Sequence, residues 1–445
     1  MKTVILDDDP TGTQSATNVP VLFATSADPL DAALLAETLS QHDSVYLLTN
    51  SRAIDEDAAV ELVTRIRDLS LRAGEALGEE MQFVLRGDST LRGHVFAECE
   101  VFLRTDADAV LVFVPAFPDG GRTTVDGVHY VTVNGETLPA HETEFAADPV
   151  FPFATARLVD YVASKSSRVG VPFPLGRLRT EPGALASLLL SVAAGSVVVP
   201  DAETNDDIRL IARAIREARE GGRAVVVRSA SPLAAVLAGV ESTGLLSVPL
   251  EPLVPGAGAL PVAGSGLGAG AQPLAALLVC GSHTAGATAQ LAEVERSWGS
   301  FAVIDTDRAL AAPAEEGLRA AGAARSQLAS WSLAVVTTER VRSAQHNTLD
   351  HGERVMEALT AAVRSLLPDV GVVVSKGGIT SAEVARVGLG ARSATVLGQV
   401  LPGVSVWRLT AVDGRSLLYV VVPGNVGDEL TLVRVLDAVG VKPSR

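Results

Sequence analysis

Residues 3–13 read TVILDDDPTGT, and this stretch decides how the chain is read. Thr3 to Leu6 form a short run rich in β-branched residues, suited to a buried strand, and Asp7, Asp8 and Asp9 follow at once. Three adjacent carboxylates repel one another, so packing alone gives no reason for them at a strand end. In open α/β sheets, ligands bind outside the carboxyl ends of the strands. Acids delivered there can serve as a general base, a metal anchor or a clamp on hydroxyl groups. A solvated turn would also use Asp and Gly, with Thr11-Gly12-Thr13 as loop punctuation, so other segments must decide between the two.

Outward from that stretch, short Val/Ile/Leu runs alternate with longer helical patterns, as in a parallel sheet covered by helices. The first half offers strands at 3–6, 44–48, 82–85, 109–114, 196–199 and 224–227. Between them, Ala59, Leu62, Val63, Ile66 and Leu69 share one helix face, as do Ile208, Ile211, Ala212 and Ile215. Thr204 to Asp207 predicts a capping-box start for the second of these helices. Asn134-Gly135 between alternating residues predicts a hairpin. Residues 251–273 are dominated by Gly, Pro and Ala and show neither period, which predicts a linker. Strands are then expected at 276–280, 301–304, 333–336, 371–374, 395–400 and 417–422. The expected architecture is α/β with two domains, 1–250 and 274–445. Each is a largely parallel sheet with helices on both faces, and a ligand cleft lies between them.

Length and composition agree with this division. At 445 residues the chain suits two or three domains, and 47% hydrophobic with 20% charged residues supports large cores. A net charge of −16 and the lack of any basic stretch argue against a nucleic-acid partner. No apolar run approaches a membrane span, and the run after Lys2 lasts only four residues before the acids begin, so a soluble cytoplasmic protein is expected. Cys99 and Cys280 sit in apolar settings and are expected as buried thiols of a reducing compartment. A homodimer is compatible with the sequence.

Four segments of the first half carry more polar chemistry than packing needs. They are LDDDPTGTQ (6–14), LLTNSRA (47–53), LRGDSTLRGH (85–94) and VPAFPDGGRTTVDG (114–127), the last expected as a long loop. They place carboxylates, the guanidinium groups of Arg52, Arg86, Arg92 and Arg122, and many hydroxyls at strand ends. Guanidinium suits a carboxylate or phosphate through paired donors, while carboxylates and hydroxyls suit a polyol. A small, anionic, hydroxylated ligand is the economical inference. His94 and His283 lie within motifs and could bind ligand; His42, His346 and His351 read as surface or core residues. No pair of histidines has metal-ligand spacing, so a protein metal site stays unassigned.

Asp7-x-Asp9-x-Thr11 after a strand resembles the first motif of haloacid-dehalogenase-type phosphatases, with Thr49-Asn50 in the place of the second. Lys165, Asp201 and Asp206 could stand for the rest, and the chemistry would be nucleophilic attack by a carboxylate with Mg²⁺. That alternative leaves LRGDSTLRGH, the 114–127 segment and the whole second half unexplained.

In the second half, glycine-bearing turns repeatedly join a strand to a helix. Gly281-Ser282-His283-Thr284 follows the first strand, Lys376-Gly377-Gly378-Ile379-Thr380 a later one, and Gly424-Asn425-Val426-Gly427 the last. Glycine permits close backbone approach, and free N–H groups at such turns suit anions. Three such turns on one sheet edge point to a nucleotide or its phosphates. Neither Gly-x-x-x-x-Gly-Lys-Ser/Thr nor a leading Gly-x-Gly-x-x-Gly is present, so the site is not a P-loop or dinucleotide fingerprint.

With LDDDPTGTQ, RGDSTLRGH, PAFPDGGRTTVDGVHYV, TEFAADP, GSHT, SKGGIT, GQVLPGV and PGNVGD in order, the chain resembles the four-carbon acid sugar kinase family over nearly its whole length. That resemblance implies a sugar-acid-binding N-terminal domain and a nucleotide-binding C-terminal domain. It also implies transfer of the ATP γ-phosphoryl group, with Mg²⁺, to the terminal hydroxyl of a small sugar acid such as threonate, erythronate or 3-oxo-tetronate. By the same resemblance, Asp8 and Asp9 are the catalytic candidates, one of them accepting the hydroxyl proton. Thr11, Arg52, Arg86, Asp88, Ser89 and Arg92 are the substrate-binding candidates, with Arg86 and Arg92 expected to hold the carboxylate. Ser282, Lys376, Gly377, Gly378, Ile379, Thr380, Gly424 and Asn425 are the nucleotide-binding candidates. Departures mark a divergent subgroup: Pro10 stands where Leu is usual, Ile379 where an acid is common, Asn425-Val426 replaces a Gly-rich pair, and Lys376 precedes the double glycine. A non-catalytic sugar-acid sensor is the remaining alternative that these departures allow.

Overall fold

Every Val/Ile/Leu run marked in the first half is a strand of one parallel sheet. The computed structural model describes residues 1–25, 29–133, 135–242, 244–250, 275–340 and 349–443, and the chain divides into two units, Met1–Thr243 and Gly244–Arg445. The strands of the first unit are β1 (Lys2–Asp7), β2 (Val19–Phe23), β3 (Ser44–Leu48), β4 (Met81–Arg86) and β5 (Val110–Val114), then β6 (Arg122–Val125), β7 (Val128–Val133) and β8 (Glu136–Pro139), then β9 (Gly170–Phe173), β10 (Val197–Pro200) and β11 (Val225–Ser229). Among these, β2-β3-β1-β4-β11-β5-β10-β9 run side by side, all parallel. A parallel arrangement needs crossovers, and the helices between the strands supply them. Because both faces of such a sheet are covered, its strands read as continuous apolar runs: all five residues of β3 and of β5 are buried.

The expected helices form with the caps their sequences specify. Asp55 caps the helix Glu56–Leu77 through Ala58 N–H, and the face of Ala59, Leu62, Val63 and Ile66 is buried. Thr204 and Asp207 make a reciprocal capping box on Asn205–Glu220, whose Ile208, Ile211, Ala212 and Ile215 have no exposed surface. Each such aliphatic burial stabilises by roughly 1.5–3 kcal/mol relative to exposure. The 114–127 segment is less of a loop than expected. Arg122–Val125 is strand β6 of a small antiparallel sheet, β6-β7-β8, because Thr123, Thr124 and Val125 are β-branched and pair with β7. The hairpin of β7 and β8 pairs Val133 with Glu136; Asn134 itself lies outside the described residues. Strands β2 and β9 are not legible as such, since VPVLF and GVPF each carry a proline that reads as a breaker.

The second unit contains β12 (Ala276–Cys280), β13 (Ala302–Ile304), β14 (Leu333–Thr338), β15 (Val372–Lys376), β16 (Ser393–Leu401), β17 (Val404–Thr410) and β18 (Ser416–Val422). Their order is β13-β14-β12-β15-β18-β17-β16. The first five are parallel; β17 and β16 add an antiparallel meander, in which β17 is a strand the sequence does not announce. The predicted linker at 251–273 lies outside the described residues. Cys99 and Cys280 are buried free thiols, as expected. Among the described residues no helix is long and apolar enough to cross a membrane.

Candidate functional site

In the first unit, four neighbouring parallel strands, β3, β1, β4 and β11, end together, and the register pairs Asp7 with both Leu48 and Arg86, and Arg86 with Ser229. Parallel register therefore brings the DDD, NSR and RGDSTLR segments to one edge, the place where such sheets take ligands. Asp7, Asp8 and Asp9 are all buried. Burial of three carboxylates demands cations, and Arg86 supplies the first. Its Nη1 donates to Asp7 Oδ1 (3.0 Å), Asp8 Oδ1 (3.3 Å), Asp9 Oδ1 (3.2 Å) and the Asp9 carbonyl (3.3 Å), while Nη2 donates to Thr11 Oγ1 (3.2 Å). Arg86, expected to grip a ligand carboxylate, is bound to carboxylates of the protein itself. Its side chain, 2% exposed, is engaged by the aspartates, because a buried carboxylate cluster recruits the nearest cation.

Arg228, from within β11, supplies the second. Its Nη2 donates to Asp8 Oδ2 (3.2 Å), and Nη1 pairs with Glu98 of the helix Val95–Leu103. Ser51 Oγ donates to the other oxygen of Glu98 at 2.5 Å. Arg52 lies against Asp9 Oδ2 and is 3.7 Å from Asp8 Oδ2 and 3.6 Å from Asp88 Oδ2. Neither Arg228 nor Glu98 belongs to a motif that the sequence singles out. A cation inside VVVRS and an acid inside FAECEVF, both in apolar surroundings, are the signals that point to them.

The remaining substrate candidates line the adjacent loop. Asp88 Oδ2 accepts from Arg92 Nε (2.7 Å) and from Thr90 Oγ1; burial works against its charge, but Arg92 and Arg52 outweigh it and hold the carboxyl well below the usual range. Arg92 also lies over the Phe145 ring at 5.1 Å and 3.7 Å from Asp148 Oδ2, and its side chain keeps 21% exposure. The Ser89 carbonyl accepts from His129 Nε2 (2.8 Å). Burial pushes His129 down to about 4, so the ring is neutral and its Nδ1 accepts from Thr124 Oγ1 (3.1 Å). Burial likewise lowers Arg122, to about 10. His94 is held structurally, its Nε2 meeting the Ile54 carbonyl at 2.9 Å.

The phosphatase-like arrangement does not assemble. Lys165 Nζ donates to the Pro152 carbonyl (2.7 Å), and Asp206 is exposed and paired with Arg209. Asp201 accepts backbone N–H bonds from Asp126, Gly127 and Leu175, fixing the β6–β7 turn. Asp7 is turned against Gly12, where a Cβ would fall 2.1 Å from its carboxyl oxygen, so it is closed to a phosphate. Burial raises Asp7 to about 7 despite Arg86, and its Oδ2 has no hydrogen-bond partner among the described residues.

In the second unit, the turns after β12, β15 and β18, three adjacent strands, pack on one another. A Cβ on Gly281 would lie 2.5 Å from Thr380 Oγ1, one on Gly377 3.0 Å from Ser282 Cβ, and one on Gly424 2.9 Å from Ser282 Oγ. Gly377, at φ +109°, also has a backbone that side chains rarely adopt. Thr284 caps the helix Ala285–Trp298 through Ala287 N–H and donates to the Gly424 carbonyl (2.9 Å). Gly378 opens the short helix Gly378–Glu383, in which Ile379 is 43% exposed and Thr380 is buried. Asn425 is half-buried. Lys376 is wholly buried, and its Nζ donates to the Pro423 carbonyl at 2.7 Å. Arg340, which no sequence motif marks, donates from Nη1 to the Ser282 carbonyl at 2.7 Å. Glycine contacts of this kind leave backbone close to any ligand at the strand ends, which suits a nucleotide. Among the described residues no group of three or more His, Cys, Asp or Glu is arranged to hold a metal ion, and Asp7, Asp8 and Asp9 are engaged by arginines.

Comparison with known proteins agrees with this division of chemistry. Residues 3–237 match the model of a sugar-binding N-terminal domain, and residues 277–432 that of a nucleotide-binding C-terminal domain. The chain is 30% identical over 415 residues to a D-threonate kinase of Bordetella bronchiseptica, covering 92% of this chain and 89% of that one. It is 28% identical over 414 residues to a 3-oxo-tetronate kinase of Methylobacterium radiotolerans, covering 90% of each. A D-erythronate kinase of Heliobacterium modesticaldum is 31% identical over 247 residues, about half of each chain (53% and 52%). The fold is shared with a crystal structure of a Haemophilus influenzae protein, at a TM-score of 0.61 and 17% identity over 98% of this chain and 99% of that one. With both halves matched in order, the chain belongs to the four-carbon acid sugar kinase family.

Proposed function

We propose that this sugar-acid kinase transfers the γ-phosphoryl group of ATP to a hydroxyl, the terminal one, of a four-carbon aldonate or a 3-oxo-tetronate. The observation that carries the reading is the pairing of chemistries in one chain: a buried carboxylate–guanidinium cluster at one sheet edge, and three interlocked glycine turns at another. The relatives named for threonate, erythronate and 3-oxo-tetronate support the substrate class.

Arg92 and Arg52, which keep 21% and 11% side-chain exposure, hold the acid's carboxylate, while Arg86 and Arg228 hold the aspartates. Asp8 or Asp9 accepts the proton of the attacking hydroxyl. The arginines around them fix their oxygens before the acceptor arrives, so little reorganisation accompanies transfer. The second-unit turns, through Ser282, Gly377 to Thr380, Gly424 and Asn425, bind the nucleotide. ATP supplies the phosphoryl group, and Mg²⁺ enters with its phosphates, since this ion keeps several waters and commonly binds through substrate phosphates rather than a protein cage.

The test is ADP release from Mg·ATP across a panel of four- to six-carbon sugar acids. Turnover with a four-carbon acid is the expected result. Phosphate release from a phosphorylated acid without ATP, or ATP binding with no acceptor turned over, would overturn the assignment in favour of a phosphatase or a sensor.

A further inference from the structure

The turn that follows β18 is held by three side chains that all act on its carbonyl groups. Lys376 Nζ donates to the carbonyl of Pro423 (2.7 Å) and lies 3.5 Å from that of Val426. Gln290 Nε2 donates to the Val426 carbonyl (3.1 Å), and Thr284 Oγ1 to the Gly424 carbonyl (2.9 Å). Lys376 and Gln290 are both buried, and Lys376 has no exposed surface. A trans peptide is planar, with its C=O and the following N–H antiparallel. Drawing the carbonyls of 423, 424 and 426 toward these donors therefore turns the N–H groups of Gly424, Asn425 and Gly427 away from them. Gly427, at φ +89°, supplies the left-handed residue that such a reversal needs.

We propose that Lys376 is a positioning residue of the nucleotide site, its buried amine aligning residues 423–427 so that backbone N–H groups of this turn bind the nucleotide's phosphates. This rests on the kinase reading and deepens it. Lys376 does not touch phosphate: its amine is committed to carbonyl oxygens on the protein side of the turn. The role also accounts for a lysine directly before Gly377, where a free cation reaching for phosphate would not be buried. Burial pushes the amine down to about 7, and a neutral amine still donates to both carbonyls. Gly377 beside it, packed on Ser282, links the same strand end to the first turn.

The test is titration calorimetry of full-length wild type, Lys376→Met and Gln290→Leu with ADP and ATP, alongside kinetics for ATP and for the sugar acid. Circular dichroism and thermal unfolding check that each variant folds. The expected result is at least a tenfold rise in Kd and KM for nucleotide in Lys376→Met, with KM for the acid unchanged, and a smaller rise in the same direction in Gln290→Leu. Nucleotide affinity unchanged in a folded Lys376→Met would overturn the proposal while leaving the kinase reading intact. If Lys376→Met does not fold, Gln290→Leu decides: unchanged nucleotide affinity there, or equal losses for acid and nucleotide, overturns it. Wild type that binds neither ADP nor ATP would overturn the kinase reading and this proposal together.

Discussion

Arg228 Nη2 stands 3.2 Å from Asp8 Oδ2, joining residues 220 positions apart in the chain. Both side chains are 2% exposed, and the second arm of Arg228 closes on Glu98. The ion pair is thus the point at which the last strand of the N-terminal unit fixes the first. Removing one partner of a buried pair leaves an uncompensated charge, which costs about 3–5 kcal/mol. Arg228→Met should accordingly lower the stability of the protein by that order in urea denaturation. At temperatures where the variant is folded, turnover should fall further than nucleotide affinity. A variant as stable and as active as wild type would show that Asp8 needs no such anchor.

Asp8→Asn and Asp9→Asn test the proton acceptor. An amide keeps the size of the side chain and loses its basicity, so the variant that replaces the base should have no measurable turnover while binding ATP with wild-type affinity in calorimetry. Normal activity in both variants would remove the base assignment.

Asp7 gives a pH signature. Its folded value of about 7 lies above the ordinary 3.8. Between these limits the folded protein holds a proton that the unfolded chain has released. The contribution of Asp7 to stability is therefore complete below about pH 4 and is lost as pH rises through 7. The loss is on the order of a few kcal/mol, at about 1.4 kcal/mol per pH unit. In Asp7→Asn, which keeps an acceptor for Arg86, the difference in urea midpoint between pH 5 and pH 8 should shrink relative to wild type. An identical pH dependence in the two proteins would contradict a protonated Asp7.

The capping box offers a control remote from the chemistry. Thr204→Ala removes the acceptor for Asp207 N–H on the helix Asn205–Glu220 and should cost about 1 kcal/mol of stability, read by thermal melting, with kinetic constants unchanged. A loss of activity would mean that this helix does more than support the sheet.

Gly12→Ala probes the packing of the DDD turn. The new Cβ would meet the Asp7 carboxyl at 2.1 Å, and Asp7 is locked by Arg86, so the turn must shift. Activity should be lost even where circular dichroism shows a folded protein. A fully active variant would show that the turn tolerates displacement.

Local sequence determined much of this protein. Apolar runs of four to six residues mark fully covered parallel strands because such strands have no wet face, and the caps at Asp55 and Thr204 mark helix starts because their side chains meet nearby N–H groups. The acids and arginines of the candidate sites were legible because polar residues stood where packing asked for none, and the glycines because they stood where a strand gives way to a helix. Which groups meet was decided only in three dimensions. Arg86 and Arg92 look alike in LRGDSTLRGH, yet register places Arg86 beneath three aspartates and leaves Arg92 partly exposed. Arg228 and Glu98 enter the site through a pairing that no local pattern encodes, and Lys376, one of the nucleotide-binding candidates, is buried with its amine on the Pro423 carbonyl. Periodicity reports burial along one element, whereas the partner of a buried charge depends on which strands are neighbours, and that is a property of the fold.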